Sequence, residues 1–206
     1  MIYYIGIDPS INSTGICIQK FNKNTKKSEN FIVLSKERKL TKKETEAAEK
    51  ISNFEYRFYK AEDLSIYKDY NHFREYWKSY NLINCAKEIY NIIKKYTKDK
   101  PEKLYIVIEG ISYGSLKTQS IFDLAGLNYL IREKFINKKD IVFTIATPSE
   151  IKKYVTGNGI SKKDILTEIF IMNNPDFAII PKIDDISDAW YMADYAHELK
   201  NQNEDI

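Results

Sequence analysis

Short apolar runs bounded by turn residues alternate with longer amphipathic stretches, and that alternation predicts the elements. Residues 2–8 (IYYIGID) read as a buried strand stopped at Asp8-Pro9, residues 14–20 (TGICIQK) as a second strand and residues 29–35 as a third. Their polar connections are short, which predicts antiparallel pairing. Residues 104–109 (LYIVIE) and 141–146 (IVFTIA) are two further buried strands. Phe73, Trp77, Tyr80, Ile83, Ile89 and Ile93 fall near helical spacing within residues 71–96, and helices are also predicted over 117–135 and 186–199. Thr147-Pro148-Ser149-Glu150 reads as a helix start, and Ser161 with Asp164 three residues on predicts a capped helix over 161–173. Residues 36–69 are charged and aromatic, with a short helix over 44–51 and a strand over 54–59 as their expected elements. Residues 200–206 form a polar tail expected to fray. The order of elements predicts an α/β chain with a mixed central sheet, its first three strands antiparallel, flanked by helices. A length of 206 residues suits a single domain over 1–206.

Composition removes several classes of function. No run approaches the ~20 apolar residues that a membrane span needs, so no membrane partner is expected. No basic segment leads into a long apolar stretch, so no secretion leader is expected. Cys17 and Cys85 stand far apart, which suggests neither a disulfide framework nor a cysteine zinc site and fits a reducing, cytoplasmic compartment. His72 and His197 are the only histidines, which argues against a histidine-rich metal site or a nucleophile triad. His197 lies beyond the acidic positions of its helix and is expected at the surface. The net charge of +3 says little about partners. Its distribution says more: Lys36, Arg38, Lys39, Lys42 and Lys43 form one cluster, and Lys94, Lys95, Lys98, Lys100 and Lys103 another. The abundance of Ile, Lys, Asn and Tyr fits AT-rich coding.

Four acids stand where an acid is disfavoured. Asp8 ends one apolar strand and Glu109 another; Asp185 and Asp188 lie three apart, on one helix face, before the apolar run Ala189-Trp190-Tyr191-Met192-Ala193. Carboxylates gathered at the ends of buried strands repel one another unless a cation neutralises them. Hard oxygen ligands select Mg²⁺ or Mn²⁺. Two such ions together clamp the attacking water and leaving oxygen of a phosphodiester.

The words around these acids carry a family resemblance. Ile5-Gly6-Ile7-Asp8-Pro9-Ser10 followed by Thr14-Gly15 resembles the first motif of the RuvC-like Holliday junction resolvases, and Ile106-Val107-Ile108-Glu109 resembles their second acidic strand. Thr147-Pro148-Ser149, Lys152, Gly157-Asn158-Gly159 and Lys162-Lys163 are similar to the lysine-bearing segment, and Asp185-Ile186-Ser187-Asp188-Ala189 to the closing helix. The resemblance runs in family order over nearly the whole chain. It implies a ribonuclease H-like fold and a homodimer that makes paired nicks in four-way DNA junctions. It implies that Asp8, Glu109, Asp185 and Asp188 hold two Mg²⁺ ions per active site, with Mn²⁺ substituting; Asp184 stands as the alternative to Asp185. Lys163, or Lys162 if the register is one off, and Lys152 would then face the scissile phosphate. Gly157 and Gly159 would let backbone N–H groups approach phosphate, with a plain turn as the alternative. Tyr113 would stack on DNA near the second acid, Lys117 would contact DNA, and Tyr154 is a further aromatic candidate. The helix over 117–135 would be the dimer helix, through Ile121, Leu124, Ala125, Asn128 and Ile131, with Gly126 allowing close approach.

The chain departs from the bacterial pattern in the long interval between its first two acids. The extra length, about 36–70, reads as an inserted arm rich in Lys and Tyr. It leaves branched DNA more broadly as a substrate, as in phage and viral members of the family. Two rivals remain. Asp8-Pro9-Ser10 with Thr14-Gly15 also resembles the phosphate loop of actin-like phosphotransferases, for which the chain is too short. A non-catalytic platform for branched DNA would have no reason to keep four buried acids together.

Overall fold

The computed structural model describes residues 1–22, 25–36, 40–66, 72–98, 101–111, 118–180 and 183–203. β1 (Ile2–Asp8), β2 (Ser13–Asn22) and β3 (Thr25–Lys36) form an antiparallel meander, as the short connections predict. α1 (Lys42–Lys50) then leads to β4 (Phe54–Tyr59), which pairs parallel with β3 at the sheet edge. α2 (His72–Tyr96) returns the chain to β5 (Lys103–Glu109), a parallel neighbour of β1. α3 (Thr118–Glu133) crosses to β6 (Ile141–Ala146), and α4 (Pro148–Thr156), α5 (Lys163–Asn173) and α6 (Ile183–Asn203) follow. The six strands are ordered β4-β3-β2-β1-β5-β6. No helix among the described residues is long and apolar enough to cross a membrane.

Both faces of the sheet are covered, so the central strands read as nearly unbroken apolar runs. Tyr3, Ile5 and Ile7 of β1, with Ile16, Ile32 and Ile106 beside them, pack against Ile89, Ile92 and Ile93 of α2 and Leu127 and Ile131 of α3. Tyr4, Cys17, Phe31 and Val107 point the other way, onto Ala189, Met192 and Ala193 of α6 and Phe170 of α5. An ion pair of 2.7 Å between Lys78 and Asp123 ties α2 to α3.

Several details differ from the sequence expectations. Ser161 does not cap α5: its hydroxyl donates to the Asn158 carbonyl at 2.9 Å and meets the Thr156 hydroxyl at 2.8 Å. The helix instead starts one residue later, with Lys162 at the N-cap and no side-chain cap bond. α6 starts at Ile183, so Asp184 and Asp185 lie in its first turn, where the positive end of the helix dipole favours them, and it runs on into the expected tail, to Asn203. His197 is not a free surface residue. Its ring stacks on Tyr4 at 3.7 Å, and its Nε2 lies 3.2 Å from Oε1 of the fully buried Gln19.

The helix over 117–135 also divides its faces differently. Asn128 and Ile131 turn inward, each about 1% exposed, while Phe122 and Tyr129 stand 66% exposed. Gly126 faces Leu82 of α2. Within the stretch 36–70, α1 is closed by a reciprocal Thr41–Glu44 capping box, and β4 is part of the sheet.

Candidate active site

Asp8 closes β1 and Glu109 closes β5. These strands are parallel and in register, Ile7 beside Ile108, so the next step along each brings Asp8 and Glu109 to the same end of the sheet. Side-chain alternation sends both acids to the α6 face, because Gly6 and Val107, two residues back, already face α6. α6 lies unusually close. A Cβ on Gly6 would stand 1.9 Å from the Ala189 carbonyl oxygen, and one on Gly15 would stand 2.0 Å from that of Asp185. Gly15 is the cross-strand partner of Asp8. Two glycines therefore let the first turn of α6 settle over the end of β1, which carries Asp185 and Asp188 to Asp8.

The electrostatics record that gathering. Asp8, Asp185 and Asp188 are 7%, 8% and 7% exposed, and Glu109 is half-buried. Burial drives the Asp8 carboxyl well above the usual carboxylate range, and Glu109 adds to this through its charge and a hydrogen bond between the two carboxyl groups. The charges of Asp188 and then Asp185 push it further the same way. Asp185 Oδ2 accepts a hydrogen bond of 2.6 Å from Ser13 Oγ. Asp184, by contrast, is half-buried, and its carbonyl accepts from Ser187 at 3.0 Å. The Asp185 charge thus reaches Asp8, and its carboxylate is tied to β2 through Ser13.

Glu109 and Asp188 open into a cleft of about 210 Å³ that Lys152 also lines, with Pro148, Ile151, Leu166 and Met192 as its apolar walls. Lys152 is presented by α4, whose start is fixed by a Thr147–Glu150 capping box and Pro148 in the first turn. The hydrogen bonds of that box hold the Glu150 carboxyl below its ordinary range.

Among the described residues, no three or more His, Cys, Asp or Glu side chains converge closely enough to hold a metal ion. The four acids share a neighbourhood and a field without meeting at one point. As a donor set they fit a hard divalent cation: all are carboxylates, and their mutual repulsion at Asp8 is what such a cation relieves.

The remaining candidates are placed as follows. Lys162 is exposed at the N-cap of α5, and Lys163 is the first residue of that helix. Gly157 ends α4 in the left-handed region (φ 76°) with its N–H donating to the Lys153 carbonyl, which is the role of a helix stop. Gly159 folds back against Ser149, whose carbonyl oxygen a Cβ would meet at 3.0 Å. Tyr154 packs edge-on against Tyr195. Tyr113 and Lys117 lie outside the described residues, as do Arg38, Lys39 and Lys100. The second lysine cluster sits at the other end of β5, where Lys94, Lys98 and Lys138 line a separate cleft of about 380 Å³.

Three residues support the acids in roles the sequence does not predict, and one of them, Asn128, is expected at the dimer face instead. Ser13 holds Asp185. Asn128 donates from Nδ2 to the Glu109 carbonyl at 2.8 Å and accepts from Arg132 Nε at 2.7 Å. Tyr59, the last residue of β4, donates to the Ile11 carbonyl at 3.2 Å and so braces the loop after Asp8. Asn128 had a signal, a polar residue on an apolar helix face. Tyr59 had none among 16 tyrosines.

No family model and no curated protein matches the sequence. Solved structures do match the fold. The RuvC structure from Thermus thermophilus superposes with a TM-score of 0.50 at 10% identity, over 97% of this chain and 96% of that one. T. thermophilus RuvC in complex with a Holliday junction substrate gives 0.50 at 12%, over 98% and 95%. At such identity the likeness establishes architecture, and over nearly its whole length this chain has the ribonuclease H-like fold of those RuvC structures.

Proposed function

We propose that the protein is a structure-selective DNA endonuclease that resolves four-way junctions, and branched DNA more broadly, by metal-assisted phosphodiester hydrolysis. The observation that carries this reading is geometric: the β1–β5 register and the close approach of α6 at Gly6 and Gly15 gather Asp8, Glu109, Asp185 and Asp188 at one end of the sheet, beside a cleft lined by Glu109, Asp188 and Lys152. The shared fold with a RuvC solved on a Holliday junction supports the choice of substrate class.

In this reading Asp8, Glu109, Asp185 and Asp188 hold two Mg²⁺ ions, with Mn²⁺ able to replace them. Such ions, when bound, supply a nucleophile at neutral pH and neutralise charge on the phosphate. A water oxygen forms the new bond to phosphorus, and the bond from phosphorus to one sugar oxygen breaks. The water gives its proton to solvent, and the leaving oxygen takes one up. Lys152 offers a positive charge to the phosphate as negative charge develops, with Lys163 or Lys162 in the same role from the start of α5. Gly159, Lys117 and Tyr113 are assigned to the DNA strand, while the Gly157 N–H already donates to the Lys153 carbonyl as the stop of α4. The exposed Phe122 and Tyr129 of α3 suit a homodimer, in which two sites would place paired nicks.

Because the described acids do not converge as a ready cage, a non-catalytic junction-binding platform is the competing reading. Asp8→Asn separates the two. It keeps the side-chain size and removes one charge, so junction binding should persist while cleavage disappears. A variant that cuts at the normal rate would remove the metal-site assignment.

A further inference from the structure

β2 presents every second residue to α6, and its first residue does more than pack. Ser13 is 3% exposed and Asp185 8%, and the 2.6 Å bond between them lies in the range of a strong bond to an ionised carboxylate. The donor is held firmly. Ser13 pairs with Ser35 across the sheet, and the next residue, Thr14, is fully buried and staples the preceding loop through its hydroxyl, which donates to the Ser10 carbonyl at 3.1 Å and accepts from the Ser10 N–H at 3.3 Å. The acceptor is held too, since the Asp185 backbone rests against Gly15, two residues along β2. A carboxylate with one oxygen tied to a buried strand has its rotation restricted and its other oxygen favoured in one direction.

We infer that Ser13 is a positioning residue: it orients the Asp185 carboxylate as a cation ligand and thereby makes Asp185, rather than the adjacent Asp184, the ligand from the first turn of α6. The inference rests on the two-metal nuclease reading and adds a residue to it. Outer partners that orient a ligating carboxylate typically change metal affinity by about 10–100-fold when removed.

The test is calorimetric titration of the full chain with Mn²⁺ alone, without DNA, for the wild type, Ser13→Ala, Ser13→Thr and Asp184→Asn. Ser13→Ala should bind Mn²⁺ about 10–100-fold more weakly. Ser13→Thr, which keeps the hydroxyl, should stay within a few-fold of wild type, as should Asp184→Asn. Junction affinity in EDTA should be the same for all four. Urea unfolding in EDTA checks that each variant is folded, and Ser13→Cys, close in size but a weak donor, replaces Ser13→Ala if that variant does not fold. Wild-type Mn²⁺ affinity in Ser13→Ala, or a Ser13→Thr as weak as the alanine variant, would overturn the positioning role and leave the nuclease reading standing. A wild type that binds no Mn²⁺ would overturn both.

Discussion

Gly15 is where the backbone of β2 lets the first turn of α6 lie closest, so Gly15→Ala is the most informative single perturbation. The new methyl group would lie 2.0 Å from the Asp185 carbonyl oxygen and 3.2 Å from the Asp185 Cβ. Ordinary contact begins at 3.4 Å, so the first turn of α6 must retreat by about 1.4 Å, the difference between 3.4 and 2.0 Å. Neither neighbour can swing aside cheaply, because one is backbone and the other is the root of a buried side chain. Overpacking of this kind costs about 1–3 kcal/mol of stability. A displacement of about 1 Å between reacting groups costs about 100-fold in rate. Gly126→Ala is the matched control: its Cβ meets only the Leu82 Cδ1 at 3.6 Å, an ordinary contact. Replacing glycine by alanine inside a helix contributes about 1 kcal/mol of stability. Single-turnover cleavage of a labelled four-way junction and urea unfolding should therefore show Gly15→Ala slower and less stable, and Gly126→Ala as active as wild type and no less stable. A Gly15→Ala variant with wild-type rate and unfolding midpoint would refute the close approach of α6 as the device that assembles the acids.

Two further outcomes follow from the same geometry. The folded protein holds the Asp8 proton more tightly than the unfolded chain does, because burial and then Glu109 raise its carboxyl. Stability in EDTA should thus fall as pH rises from the unfolded carboxylate value of about 3.9 through the raised folded value, and Asp8→Asn should lack that fall. Thermal melts from pH 4 to pH 8 should place Asp8→Asn above wild type at neutral pH; a lower melting temperature there would contradict the assignment. Lys152→Ala should reduce single-turnover cleavage by roughly 100-fold, the scale for losing one charge-stabilising group, with junction affinity nearly unchanged. Equal loss in both would make Lys152 a DNA-binding residue instead.

The sequence made the central strands legible because both faces are covered, which leaves β1 and β5 apolar up to their terminal acids. That contrast singles out Asp8 and Glu109 without any knowledge of the sheet. What pairing alone decides was less legible. The strand over 54–59 could be foreseen, but its parallel addition to β3 depends on where α1 carries the chain. Ser161 has the right spacing for a cap, yet its hydroxyl is taken by the Thr156–Asn158 turn, an equally local competitor. Asp185 takes a hydrogen bond from Ser13, 172 positions away in the chain, a partner that no local pattern announces. His197 departs from its expected surface position for a similar reason: its partners Tyr4 and Gln19 come from β1 and β2, and nothing in α6 announces them.

Cleavage itself is the most direct measurement. Purified protein is incubated with a labelled synthetic four-way junction and a matched linear duplex, in Mg²⁺, in Mn²⁺ and in EDTA. Paired, symmetric nicks in the junction alone, present with either metal and absent in EDTA, are the expected result. An intact junction under every metal condition, together with a retained gel shift, would contradict the nuclease and leave a protein that binds branched DNA without cutting it.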